Sequence, residues 1–334
     1  MMLRRLLPLL LLLPSLVVAA EQRGSTAPGE GSGAAQADQA IAWLERMRRA
    51  VVELDYEGTF VYQKGDRLET LHIIHGMIQG QPMSRVTALS GERRQVLRSG
   101  DALTCIWPDR RQMLREPVKD RNELPLPLPD DPARIARHYR FETGGEDRVA
   151  GFACQVIRIT PRDDYRYGYE YCIEPQTGML LRAAVRGPDG KVMEQFLFTR
   201  ISFPRQIPPS AFESDGYRGF RVAELPAPIA KGEVRSIHFK DLPPGFKVIS
   251  EVVQPPMKAR PEVRQVILGD GLASVSVFLA RAGDAPGKPW EGRMRSGAVQ
   301  ALADERDGWQ ITVVGEVPTR TLEYLMRAIE VPKS

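Results

Sequence analysis

The sequence predicts an α+β protein, mostly antiparallel strands, divided into two domains. Three observations carry this reading. Residues 144–201 run as short alternating segments separated by the turns PRDD (161–164), PQTG (175–178) and GPDG (187–190), too short to hold a crossover helix. The same punctuation returns beyond residue 233, with Gly269-Asp270-Gly271 and Arg306-Asp307-Gly308 between strand-like pieces. Between these regions lies an irregular stretch, 207–232, containing Pro208, Pro209, Pro226 and Pro228.

Taken in order, the chain opens with Arg4 and Arg5, an apolar run from Leu6 to Val18, and Val18-Ala19-Ala20. That run is shorter than the roughly 20 residues a spanning helix needs, so 1–20 reads as a cleaved signal peptide. Residues 21–37 lack apolar periodicity and read as a disordered tether. Asp38 can cap a helix to about Leu54, with Ile41, Leu44, Met47, Val51 and Leu54 forming one apolar stripe. Strands are expected at Tyr56–Gln63, Leu68–His75, Arg94–Arg98, Ala102–Trp107 and Gln112–Glu116. The proline-rich ELPLPLPDD (123–131) is no central strand, and Asp131 can cap a short helix over Pro132–Tyr139. The meander follows, with strands at 152–160 and 165–173, and completes a first domain over 38–206.

Residues 207–232 then serve as a linker with a short helix near Ser210–Ser214. The second domain, 233–334, places Val234–Phe239 and Phe246–Val253 around DLPPG. Two hairpins follow, 262–280 and 298–314, and a final helix, Thr319–Ile329, carries Leu322, Leu325, Met326 and Ile329 on one side.

Within the meander, Tyr165, Tyr167, Tyr169 and Tyr171 fall at every second position. On a strand all four rings share one face, with Arg166, Gly168, Glu170 and Cys172 on the other. Phe60, Tyr62, Phe196 and Phe198 alternate on neighbouring strands and can join that face. It is either core packed beneath a helix or the lining of a hydrophobic cavity.

Three cysteines in an exported chain raise the question of a bridge. Pairing about the 161–164 turn puts Cys154 opposite residue 171 or 172. Cys154 and Cys172 are then either bridged or two buried thiols, and Cys105 is a buried strand cysteine.

Several functions are not supported. There are 46 basic and 42 acidic residues, and removal of Arg4 and Arg5 leaves 44 basic, so no strongly basic face for nucleic acid is expected. His72 and His75 sit three apart on a strand and point to opposite faces; His138 and His238 are isolated, so no metal set emerges. GxSxG, HExxH, CxxC and phosphate-cradling glycine loops are all missing. Asp130-Asp131 and Asp163-Asp164 read as turn and cap chemistry. The sequence recommends no catalytic group and no cofactor.

The stretches LDYEGTFVYQKGDRLETLHIIH (54–75), GEDRVAGFACQVIRITPRDDYRYGYEYCIEPQTGMLLRAAV (145–185) and EQFLFT (194–199) closely resemble the RseB/MucB family. DLPPGF (241–246), DGLASVSVF (270–278) and ITVVGEVP (311–318) resemble it too, so the likeness runs in order from about residue 40 to 330. The resemblance implies an N-terminal unclosed antiparallel β-barrel with helices in its mouth, like the lipoprotein carriers, and a smaller C-terminal α+β domain. It implies a non-enzymatic negative regulator of the sigma-E (AlgU-type) envelope-stress response in the periplasm of a Gram-negative bacterium. Its partner would be the periplasmic part of a membrane-anchored anti-sigma factor (RseA/MucA-like), shielded from regulated proteolysis. Lipopolysaccharide or the acyl chains of mislocalised lipoproteins would be the releasing signal. No short motif fixes the residues that contact the anti-sigma factor, and a homo-oligomer is left open. A periplasmic lipid or lipoprotein carrier is the rival reading, distinguished by having no need of residues 233–334; an exported hydrolase ranks last.

Overall fold

The computed structural model describes residues 30–100, 102–117, 124, 127, 129, 131–213, 215–224, 229–230, 237–254, 262–283 and 290–331. The expected signal peptide and most of the tether lie outside the described residues. The first helix, α1 (Glu30–Glu53), begins eight residues before Asp38. Ala34, Ala35 and Ala37 explain the extension: alanine lengthens a helix already nucleated downstream without needing an apolar stripe.

The N-terminal sheet has twelve strands. Its first meander is β1 (Tyr56–Lys64), β2 (Arg67–Ile78), β3 (Gln81–Ala88), β4 (Gln95–Ser99), β5 (Ala102–Trp107) and β6 (Gln112–Pro117). Its second is β7 (Tyr139–Val149), β8 (Phe152–Pro161), β9 (Gly168–Ile173), β10 (Leu180–Arg186) and β11 (Val192–Ser202). Pairing of β1 with both β2 and β11 joins the two halves. A short strand, β12 (Arg221–Glu224), adds parallel to β6, giving the order β12-β6-β5-β4-β3-β2-β1-β11-β10-β9-β8-β7. The outer strands β12 and β7 do not pair with each other, so the sheet curves without closing. Part of the stretch expected as linker is thus tied into the first sheet.

Two strands of the meanders, β3 and β7, break the alternation that marks a strand. β3 carries Pro82 and a mixed polar pattern, and β7 contains Gly144-Gly145, where the β7–β8 register shifts between Thr143 and Glu146. Paired glycines at such a shift mark a bulge inside a continuing strand rather than its end. The short helix α2 (Pro132–Ile135) is capped as expected, with Asp131 Oδ1 accepting from the Arg134 N–H at 3.1 Å. It stops at Ile135, whose side chain is fully buried.

The apolar stripe of α1 lies in the mouth of the half-barrel. Leu44, Met47 and Val51 are fully buried and belong to one core with Tyr56, Phe60, Ile157, Tyr169, Phe196 and Phe198.

The C-terminal sheet has seven strands in the order β13-β15-β16-β17-β20-β19-β18. They are β13 (Ile229–Ala230), β15 (Lys247–Gln254), β16 (Val263–Gly269), β17 (Ser274–Arg281), β18 (Gly292–Ser296), β19 (Val299–Arg306) and β20 (Trp309–Gly315). A separate pair joins β14 (His238–Phe239) to β21 (Ile329–Glu330). The helix α3 (Thr319–Ala328) covers one face, placing Leu322, Leu325 and Met326 against Val275, Val277, Ile311 and Val313. β18 was not anticipated, because Gly-Arg-Met-Arg-Ser has no residue that must be buried and all five are exposed.

Candidate functional site at the domain seam

The tyrosine stripe divides between two environments. β9 starts at Gly168, so Tyr165 sits in the preceding turn, where its N–H donates to Asp163 Oδ1 at 3.0 Å. Tyr169 and Tyr171 lie on the concave face in the core, 2% and 1% exposed, with rings parallel and centroids 6.4 Å apart. Tyr171 Oη donates to Pro127 O at 2.8 Å, whereas Tyr169 Oη meets no hydrogen-bond partner among the described residues. Burial pushes both phenols well above their ordinary pKa. Phe60, Phe196 and Phe198 join the same core, edge to face with centroids 5.7–6.0 Å apart. Tyr165 and Tyr167 instead face the second domain. The Tyr165 ring meets Tyr324 edge-on at 5.6 Å, and Tyr167 Oη accepts from Gln300 Nε2 at 3.3 Å.

On the opposite side of β8 and β9 the sulfurs of Cys154 and Cys172 are bonded, with Cα atoms 5.3 Å apart. The register differs from the expected one: Val156, not Cys154, lies opposite Cys172. A shift of two residues preserves the face, so the cysteines still meet on a diagonal.

Arg166, which alternation puts on the face opposite the tyrosines, is 1% exposed and forms the centre of the seam. Its Nε donates to Asp270 Oδ2 at 2.5 Å, and its other nitrogens donate to Asp163 Oδ2 and to the Pro244 carbonyl. The guanidinium lies over Phe246 at 4.9 Å and Tyr139 at 5.6 Å. Asp270 is equally well served. Its Oδ1 accepts the N–H groups of Leu272 and Ala273, and Tyr139 Oη donates to its Oδ2 at 3.0 Å. A buried ion pair is tolerable only with its hydrogen bonds complete, and here they bridge both domains. Gly245, at φ 83°, presses against His138, and any side chain there would run into the imidazole. The DLPPGF turn and the turn that opens DGLASVSVF therefore grip the half-barrel at Arg166. Nothing in the alternation marks this arginine; the one hint is its place directly after the PRDD turn, where a strand face is not yet defined.

A second contact lies farther along the seam. Glu194 is fully buried, accepts from Tyr62 Oη at 2.6 Å and from the Ala298 N–H at 2.8 Å, and stands 3.7 Å from Lys64 Nζ. Burial, then the hydrogen bond to Glu194, raises the Tyr62 pKa. Gly297 needs its positive φ of 60° and its missing side chain to let Glu194 approach this turn. Half-buried Glu316 has its pKa pushed up to about 7, by burial and then by the negative charge of Glu194. Beside this contact a cleft of about 1080 Å³ opens between the domains. Its walls are the β1–β2 and β10–β11 hairpin tips on one side and the β18–β19 hairpin on the other. Among the described residues, no three His, Cys, Asp or Glu side chains converge as a metal set. No helix among them is long and apolar enough to cross a membrane.

A curved, unclosed sheet holding a helix, clamped to a second sheet domain with a cleft at the seam, defines a two-domain binding protein. Models of the MucB/RseB N-terminal and C-terminal domains match residues 39–215 and 232–330, and the chain belongs to the MucB/RseB family. It is 29% identical over 304 residues to the sigma factor AlgU regulatory protein MucB of Pseudomonas aeruginosa, covering 89% of this chain and 92% of the relative. It is 28% identical over 305 residues to the sigma-E factor regulatory protein RseB of Salmonella typhimurium, covering 90% and 93%. A crystal structure of MucB in complex with MucA(peri) superimposes with a TM-score of 0.69 at 26% identity, covering 88% of this chain and 99% of that one.

Proposed function

We propose that this protein is a periplasmic negative regulator that binds the periplasmic part of a membrane-anchored anti-sigma factor and shields it from regulated proteolysis. Family membership across both domains carries the reading, together with a relative whose structure superimposes over most of the chain in complex with its partner. The second domain also favours a regulator over a lipid carrier, since a carrier uses the half-barrel alone. The mechanism is occupancy: a bound segment cannot extend into a protease, so protection follows the bound fraction. Export rests on the signal peptide read at residues 1–20. The reading assigns the chain no catalytic role.

The releasing signal, in this proposal, is an acyl chain of lipopolysaccharide or of a mislocalised lipoprotein. The aromatic concave face of the half-barrel supports that assignment. Because Leu44 and Met47 share this buried core, an acyl chain entering it has to displace part of α1, and binding is thereby coupled to conformation. Moving a segment from 99% to 1% bound takes about 5.5 kcal/mol of differential affinity. Each buried methylene contributes roughly 0.8 kcal/mol, so a dozen suffice after large losses. Calorimetric titration of full-length protein with the soluble periplasmic segment of its cognate anti-sigma factor tests the function. The expected result is a one-to-one complex at micromolar concentration or tighter, weakened by an acylated lipid. Absence of binding at micromolar concentration would sink it.

A further inference from the structure

The geometry points to the interdomain cleft as the site where an extended acidic segment of the partner adds as a strand to the free edge of β18. This rests on the regulator reading and specifies which surface does the binding. Among the described residues β18 ends its sheet and pairs with β19 alone. The two-residue turn Gly297-Ala298 makes Ser296 and Val299 the closing hydrogen-bonded pair. Alternation along an antiparallel ladder then turns the backbone of Gly292 and Met294 inward, and leaves the N–H and C=O of Arg293 and Arg295 facing outward. Most exposed edges are blunted by a covering loop or a bulge. This one forms part of the cleft wall instead, since Met294, Arg295, Ser296 and Gly297 all line it.

The charge of the cleft sets the chemistry of the occupant. Its charged lining is Lys64, Arg67, Lys191 and Arg295 against Asp66 and Asp189. Lys64 is already shared with Glu194, and Lys191 with Asp189 at 3.4 Å. Arg67 and Arg295 make no ion pair among the described residues; Arg295 Nε donates to the neutral Gly297 carbonyl at 3.2 Å. Two cations thus stand on opposite walls, one on the hairpin tip and one on the edge strand. A segment extended along β18 would place carboxylates between them, while backbone hydrogen bonds to residues 293 and 295 supply sequence-independent affinity.

The test titrates full-length protein with the same anti-sigma segment, using wild type, Arg67→Glu/Arg295→Glu and Arg295→Pro. The first variant reverses both charges. The second removes an outward N–H without touching the β18–β19 ladder, and both sites are exposed, so thermal unfolding should stay at the wild-type temperature. The expected result is at least a tenfold loss of affinity in each variant, with the wild-type affinity falling between 50 and 200 mM salt. Wild-type binding with both variants within twofold would overturn the site and leave the regulator reading standing. No binding by the wild type would remove both. If the variants lose binding only to anionic phosphatidylglycerol vesicles and keep the segment, the cleft is a lipid site and the proposal is wrong.

Discussion

In the half-barrel, Leu44, Met47 and Val51 of α1 are buried in one apolar core with Tyr169, Tyr171, Phe196 and Phe198. At the seam, Arg166 and Asp270 are buried as deeply but meet through hydrogen bonds and charge. Apolar packing accepts many similar arrangements at little cost, so substitutions of similar volume on the concave face are tolerated. A buried ion pair held by directed hydrogen bonds to Asp270, Asp163 and the Pro244 carbonyl tolerates little change of geometry, so the seam restricts how the domains face each other. The two regions thus join by different means: apolar packing within the half-barrel, and directed polar contacts between the domains.

Changes at the two places should therefore differ in kind, and the largest effect belongs to the seam. Arg166→Leu leaves the Asp270 carboxylate buried without its counter-charge and should cost about 3–5 kcal/mol, the loss expected when one partner of a buried pair is removed. Urea unfolding measures it. Arg166→Leu combined with Asp270→Asn should recover part of the loss; an equal loss in the double variant would mean the pair is not the seam's main tie. Next comes the bridge on the outer side of the half-barrel. Cys154→Ser should lower stability by about 3 kcal/mol, and reducing agent should bring the wild type down to the variant. No response to reductant would show that the thiols are free in solution.

The third effect depends on pH. Glu316 has an ordinary pKa of 4.5 that rises to about 7 in the folded protein, so folding favours its protonated form. The stability it confers is complete below 4.5, declines as pH rises, and is gone above about 7. The span is at most on the order of 3 kcal/mol, reduced by the group's partial exposure to solvent. Glu316→Gln should therefore be more stable than wild type at pH 8, equal at pH 4, and flatter between. A parallel pH profile would place the titration elsewhere. The smallest effect lies on the concave face. Tyr169→Phe removes a hydroxyl that makes no hydrogen bond among the described residues, so its melting temperature should hold or rise slightly. A loss above about 1 kcal/mol would reveal a partner for that oxygen.

The parts of the fold legible in the sequence were those in which local chemistry and burial agree. The hairpins about 269–271 and 306–308, the Asp131 cap and the stripes of α1 and α3 all follow from spacing and turn residues. β7 hid behind Gly144-Gly145, which a bulge uses and a pattern reads as a break. β18 hid because an exposed edge strand needs no apolar residue. The two centres of the seam were opaque for another reason. Arg166 and Asp270 are 104 residues apart, and each is buried only because the other is. Burial of a charge is a property of the pair, which alternation within a single strand cannot express.

Hydrogen–deuterium exchange of full-length protein, with and without the anti-sigma segment, tests most directly whether the seam carries the partner. The account predicts slowed exchange in residues 292–296 and at the hairpin tips 64–67 and 187–193, with β9 around Tyr169 and Tyr171 unchanged. Slowed exchange confined to α1 and β9, with the β18 edge unaffected, would contradict it.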